Sequence, residues 1–274
     1  MKITSISAIA AAFAMNAQAA SIHSGLLNYW SLDGNGNDTA GDFAESTGVT
    51  ADTGTANGSV SFVGGLFGSA ADLPGGAGNH ISVPDGGASS AGGVANDVDR
   101  TGANLTVSAW FKVDNFSLGW QGVVAHGEGS DYRIARQAQN NNLGYAGGRR
   151  DITGSANVND GAWHHVVAVT LDGVGTRLYV DGVLDASADD SATAIAQSDD
   201  NNNVLWIGGN PDRGRQFDGQ IDDVAMWDRG LSDAEVAQIY AAGQAGVALG
   251  AIPEPSSGLL ALSGLLMGLA RRKR

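Results

Sequence analysis

The run Asp33-Gly34-Asn35-Gly36-Asn37-Asp38 offers side-chain oxygens at alternate positions in a loop loosened by glycine. Hard cations such as Ca²⁺ take their oxygen ligands from segments of this kind. The run opens like an EF-hand loop but departs from it, with Asp38 at the position of the turn glycine and Ala44 at that of the bidentate glutamate. Asx turns give the same Asp, Asn and Gly residues a purely structural role, so both readings stay open. A second acidic pair, Asp222-Asp223, lies in the last apolar strand pattern.

Sugar recognition would use aromatic platforms flanked by polar and arginine side chains that bond hydroxyls. The residues suited to it are Trp120, Tyr132, Tyr145, Arg149 and Arg150. Trp120 follows Leu118-Gly119 in a connection between two strand patterns, where alternation does not demand burial. Trp30, Trp110, Trp163, Trp206 and Trp227 fall inside strand patterns and are expected in packing.

Catalytic chemistry finds little support. Glycoside hydrolysis needs two carboxyls flanking one bond, and residues two apart share a strand face whereas neighbours point oppositely. Glu128 has no acidic partner at that spacing, and Asp222-Asp223 and Asp189-Asp190 are neighbours. His164-His165 in a β pattern reads as one ring in and one ring out. No Gly-x-Ser-x-Gly elbow is present, and Ser108 has no histidine near it in sequence. The expectation is a non-catalytic chain.

Composition narrows the partners. The 274 residues hold 15 Lys+Arg against 29 Asp+Glu, a net charge of −14, which argues against nucleic acid. Cysteine is absent, excluding disulfides, thiolate nucleophiles and thiolate metal sites.

The elements that must position these residues alternate at period two in short runs separated by Gly, Asn and Asp. Strands are expected over 26–32, 65–73, 80–83, 105–113, 122–125, 132–136, 143–146, 163–171, 176–180, 204–207 and 220–227, with Asp181-Gly182 turning a hairpin into Val183-Leu184. Loops are expected over 52–59, 86–101 and 185–203. Ser232 with Glu235 forms a capping box for one short helix carrying Val236, Ile239 and Tyr240, with Gly243 as its stop. The pattern predicts an all-β fold, a two-sheet antiparallel jelly-roll sandwich with one short C-terminal helix.

The ends read differently. Lys2, an apolar run and Ala17-Gln18-Ala19 make residues 1–20 a secretory signal peptide. Residues 250–274 hold Ile252-Pro253-Glu254-Pro255, an apolar stretch and Arg271-Arg272-Lys273-Arg274. The stretch is short for a comfortable span, and its cations would stay on the cytoplasmic side. The tail resembles the PEP-CTERM sorting signal of Gram-negative bacteria. That resemblance implies export, transient inner-membrane anchoring through the tail, processing by an exosortase and a secreted or outer-surface destination, commonly alongside exopolysaccharide.

Between them, residues 21–249 form one domain. Tyr29-Trp30-Ser31-Leu32-Asp33, Leu105-Thr106-Val107-Ser108-Ala109-Trp110-Phe111, Trp163-His164-His165-Val166, Leu178-Tyr179-Val180-Asp181-Gly182 and Phe217-Asp218-Gly219-Gln220-Ile221-Asp222-Asp223-Val224-Ala225-Met226-Trp227 stand in an order that resembles the LamG-like jelly rolls of the concanavalin A-like lectin/glucanase superfamily. Glycan binding, protein adhesion and hydrolysis all occur on that fold. The targeting ends and the missing carboxylate pair favour a non-catalytic module binding a polysaccharide or surface glycan. The resemblance implies a structural Ca²⁺ where the first strand's loop meets the last strand, drawing on Asp33, Asn35, Asn37, Asp222 and Asp223. A structural or adhesive protein binding protein partners is the alternative, and a glycoside hydrolase of the same fold ranks below it.

Overall fold

The computed structural model describes residues 21–40, 52–84, 98–129, 131–148, 150–196 and 204–253. The expected signal peptide, Arg149 and the tail from residue 254 therefore lie outside the described residues. Among the described residues no helix is long and apolar enough to cross a membrane.

Among the described residues fifteen strands form two antiparallel sheets. They are β1 (Leu26–Trp30), β2 (Thr55–Asn57), β3 (Ser61–Gly64), β4 (Ser69–Pro74), β5 (His80–Pro84), β6 (Leu105–Val113), β7 (Gly122–Ala125), β8 (Tyr132–Arg136), β9 (Leu143–Gly147), β10 (Asp151–Thr153), β11 (Trp163–Leu171), β12 (Gly175–Val180), β13 (Val183–Asp189), β14 (Val204–Ile207) and β15 (Asp218–Trp227). One sheet runs β13-β12-β11-β6-β15-β4-β3, with β1 also on β15, and the other runs β10-β9-β8-β7-β14-β5-β2. The sandwich predicted from alternation is the fold observed.

Alternate residues of both sheets meet in one core, including Trp30, Phe111, Tyr132, Tyr145, Leu205 and Phe217. A second apolar layer covers the outer face of the eight-stranded sheet. There Tyr179, Ala225 and Trp227 pack under helix α1 (Asp233–Gln244) and under Ile22, Leu249 and Ile252 from the two ends of the domain.

The Ser232–Glu235 capping box forms as expected. Gly243 does not stop the helix, which runs one residue further. Its lack of a side chain serves close approach instead, since a Cβ there would lie 2.1 Å from the Trp110 ring.

Three loop or strand expectations change. Residues 65–68 are a turn, closed by Gly65 N–H donating to Gly68 O at 3.1 Å with Gly68 at φ +64°, so the strand expected over 65–73 begins only at Ser69, as β4, with β3 ahead of the turn. Residues 55–57 form β2 within an expected loop, and β13 extends to Asp189 within another. Their inward side chains are small, Ala186 and Ala188 in β13, and so carry little apolar signal.

Candidate functional site

Strand register across the seven-stranded sheet places one row of residues side by side. The row is Thr55, Ser82, Trp206, Ala125, Arg133, Ala146 and Asp151. Their chain neighbours Ile81, Val83, Leu205, Ile207, Val124, Tyr132, Ile134, Tyr145 and Ile152 belong to the core. Alternation therefore points the row away from the core, on the outer face of the sheet.

Arg133 centres that face. Its guanidinium donates to Asp151 Oδ2 at 2.6 Å, lies 3.4 Å from Glu128 Oε2 and sits over the Trp120 ring at 5.6 Å from the centroid. The β7–β8 turn delivers Glu128, whose Oε1 accepts from Arg215 Nη1 at 2.9 Å and Asn210 Nδ2 at 2.8 Å. Asp212 in turn accepts the Glu128 backbone N–H at 2.8 Å. This β14–β15 connection is held shut by paired Asn210 and Gly214 backbone bonds, each 2.7 Å.

Trp206 lies two strands from Arg133, about 10 Å away by strand spacing, half-buried and stacked on His80 with ring centroids 3.5 Å apart. His80 is itself buried, which lowers its pKa below the ordinary value. The face thus carries two half-buried indoles, Trp120 and Trp206, with a polar cluster beside them. The sequence reading assigned Trp206 to packing. The alternation of Val204-Leu205-Trp206-Ile207 already turned it outward, because Leu205 and Ile207 fill the core.

Tyr132 and Tyr145, expected as platforms, are corrected: both are core residues, 1% and 0% exposed. Their hydroxyls bond Val98 O and Thr170 Oγ1, so burial leaves no face for a ligand. Arg150 is exposed and reaches Asp190 at 3.5 Å.

The acidic residues gather at the other sheet. Strand β15 changes edge partner along its length, from β4 at Asp218–Ile221 to β1 at Val224–Trp227. Asp222 and Asp223 occupy the gap, where a bulge against β6 and a φ of +48° at Asp223 turn both carboxylates to the same outer face. Simple alternation had separated them.

Each finds partners that the gap leaves free. Asp222 Oδ2 accepts the Leu66 and Phe67 amides at 2.9 Å each, while its buried Oδ1 has no hydrogen-bond partner. Asp223 accepts from the Tyr29 hydroxyl at 2.6 Å and the Leu249 amide at 2.9 Å. Burial, with the nearby Asp33 charge adding to it, pushes Asp222 up to about 7 and Asp223 up to about 6.

Of the five residues expected to hold Ca²⁺, Asp33, Asp222 and Asp223 lie near enough to act on one another's charge. Among the described residues no three His, Asp or Glu side chains form a metal-binding group. Asn35 accepts the Asn37 N–H at 2.8 Å in an Asx turn, and Asp223 is bonded elsewhere. Asp33 and the unpartnered oxygen of Asp222 lie on either side of the 65–68 turn. A Cβ on Gly68 would lie 2.2 Å from Asp33 Oδ1, and one on Gly65 would lie 2.6 Å from Asp222 Oδ2.

Two histidine readings also sharpen. His164 bridges Asp181 at 2.8 Å and Asp160 at 3.0 Å, and both carboxylates hold its pKa above the ordinary value. His165 points the other way under α1, with Nε2 at 2.8 Å from Ser108 Oγ, the partner that sequence distance concealed. That pair is buried and its Nδ1 has no bond, so no acid completes a triad.

The concanavalin A-like lectin/glucanases superfamily matches residues 76–237. The chain belongs to this superfamily. The PEP-CTERM protein-sorting motif matches residues 251–274 and marks the chain for export to the cell envelope.

Solved structures share the fold. Domain 4 of AbnA, a GH43 extracellular arabinanase from Geobacillus stearothermophilus, solved in complex with arabinotriose, covers 78% of this chain and 98% of that one at 20% identity and TM-score 0.56. The binding domain of botulinum neurotoxin serotype C1 matches at TM-score 0.60 and 12% identity, covering 81% of this chain and 53% of that one. These likenesses are of fold. A stretch of 100 residues, 34% of this chain, is 30% identical to a sushi, von Willebrand factor type A, EGF and pentraxin domain-containing protein of Rattus norvegicus. The match spans 3% of that protein's length.

Proposed function

We propose that this exported jelly roll is a non-catalytic module that binds a polysaccharide or surface glycan on the outer face of its seven-stranded sheet. The observation that carries the reading is the cross-strand row, with Trp206 and Arg133 in register and Trp120 against the Arg133 guanidinium. Half-buried indoles offer flat apolar faces to sugar C–H groups, and Arg133, Asp151 and Asn210 lie where hydroxyls would need partners. The arabinotriose complex of AbnA domain 4 supports it, because a similar fold there holds a neutral oligosaccharide. Glu128 and Asp151 do not suit hydrolysis, since both are paired with Arg133 and a general acid must carry a proton to donate. Export is completed in this reading by an exosortase acting on the tail after transient membrane association.

Glycan-array screening of the purified protein, with Ca²⁺ and then with EDTA, tests the proposal. Selective binding is expected. Trp206→Ala and Trp120→Ala should each weaken it about 5- to 100-fold, the range for one stacking aromatic, while the circular-dichroism spectrum stays unchanged. A blank array from folded protein moves the function to protein adhesion, a mode the same fold uses in a neurotoxin binding domain solved with rat synaptotagmin II.

Calcium enters the proposal only at Asp33 and Asp222. Millimolar Ca²⁺ should raise Tm at pH 8 in the natural chain and leave Asp222→Asn unmoved. Equal Tm shifts in both would remove these two residues from any calcium site.

A further inference from the structure

The charges on the proposed binding face are already matched to one another, and this bears on what kind of glycan it takes. Arg133 is buried and divides its guanidinium between Asp151 at 2.6 Å and Glu128 at 3.4 Å. Arg215 is bonded to the same Glu128 at 2.9 Å. Asp212 adds a third carboxylate behind Glu128. Two held cations therefore meet three carboxylates. The rest of the row, Thr55, Ser82, Ala125, Ala146 and Trp206, is uncharged. Arg213 stands exposed at the tip of the β14–β15 connection, where salt screens its charge.

Resting on the glycan-binding reading above, we infer that this face selects uncharged glycans, and that Glu128 and Asp151 are the residues that turn anionic ones away. A uronate or sulfate entering the row would have to displace a carboxylate already paired with Arg133. Its own charge would then face the displaced one and Asp212, a like-charge contact that costs affinity. Hydroxyls face no such conflict, because Asp151 and Glu128 can accept from them without leaving the guanidinium, each carboxylate having more than one lone pair.

The specificity lies in the carboxylates, not in a lack of cations. Removing one of them should therefore uncover a latent anion site. Asp151 suits this test: it is solvent-exposed on the edge strand β10, where a change of charge leaves the core untouched.

Affinity electrophoresis of the full chain, with arabinan and a β-glucan as neutral polymers and polygalacturonate and alginate as anionic ones, reads the outcome directly. The natural chain should be retarded by a neutral polymer with less than about a 2-fold change between low and high salt, and not by the uronates. Asp151→Asn, and independently Glu128→Gln, should gain uronate retardation of about 10-fold or more that high salt abolishes. Salt-sensitive retardation of the natural chain by uronates overturns the inference and leaves glycan binding standing. Variants that fold, as judged by circular dichroism, yet gain no uronate binding also overturn it. A natural chain retarded by none of the four polymers removes this inference, while the glycan array decides the binding reading separately.

Discussion

Asp222→Asn should gain stability over the natural chain as pH rises, by up to about 4 kcal/mol between pH 4 and pH 8 in EDTA. Asp222 is fully buried, and its carboxyl in the folded chain is pushed up to about 7 from an ordinary 3.8. Between those values the folded state keeps a proton that the unfolded state has released. Stability from this group is therefore lost as pH rises through the window and does not return above it. The groups that act on it, Asp223 and Asp33, are both acidic, so no cation offsets the cost of ionising it. Asparagine keeps an oxygen for the Leu66 and Phe67 amides and carries no charge. Comparing the two chains cancels titrations that are not coupled to Asp222, such as His165, whose burial lowers it to about 3 and acts with the opposite sign below its ordinary pKa. Urea unfolding at four or five pH values measures the difference, and a gap that stays flat from pH 4 to pH 8 would show that Asp222 ionises freely in the fold.

Trp110→Ala should cost about 3–5 kcal/mol, the range for removing a buried aromatic. The indole is 2% exposed and packs edge-on against Phe67 at 5.7 Å, with His165 at 4.8 Å and Tyr240 at 5.8 Å between ring centroids. It is the surface on which Gly243 of α1 rests. Loss of the ring should free the helix before the sheets, so amide exchange in 233–244 should accelerate more than in β6 or β11. It should also admit water to His165, returning that ring towards its ordinary pKa, which histidine NMR titration would follow. Equal acceleration across α1 and both strands would mean that the helix has no separate docking energy.

Much of the architecture was legible because alternation, turn residues and capping act within a few residues of one another. The Ser232–Glu235 box and the long patterns of β6, β11 and β15 are of this kind. The short strands β2 and β10 and the far end of β13 were not legible, since three residues give no period and alanine gives little apolar contrast. The site was legible only in part. Trp120 could be singled out because it sits between strand patterns, and Trp206 could have been, from its own alternation. Glu128, Arg133 and Arg215 could not, because the contacts that define them, Glu128 with the distant β14–β15 connection and Arg133 with Asp151 across β9, join residues far apart in sequence. Asp222 and Asp223 failed for a different reason: a bulge breaks the rule that neighbours face oppositely, and nothing in the two letters announces it.

The clasp between the ends of the domain sets how the molecule would bear load. His23 Nε2 lies 3.1 Å from Leu249 O, Trp227 Nε1 donates to Ile22 O at 2.7 Å, and Asp223 holds the Leu249 amide. A pull on the chain beyond Ile252 is thus passed at once to β15, which is bonded on both sides, and not to an edge strand that could be peeled away. The row of Trp206 and Arg133 lies across the sandwich, on the other sheet's outer face. Tension between a tethered tail and a gripped polymer would run through the thickness of the domain, across the apolar core that joins the two sheets.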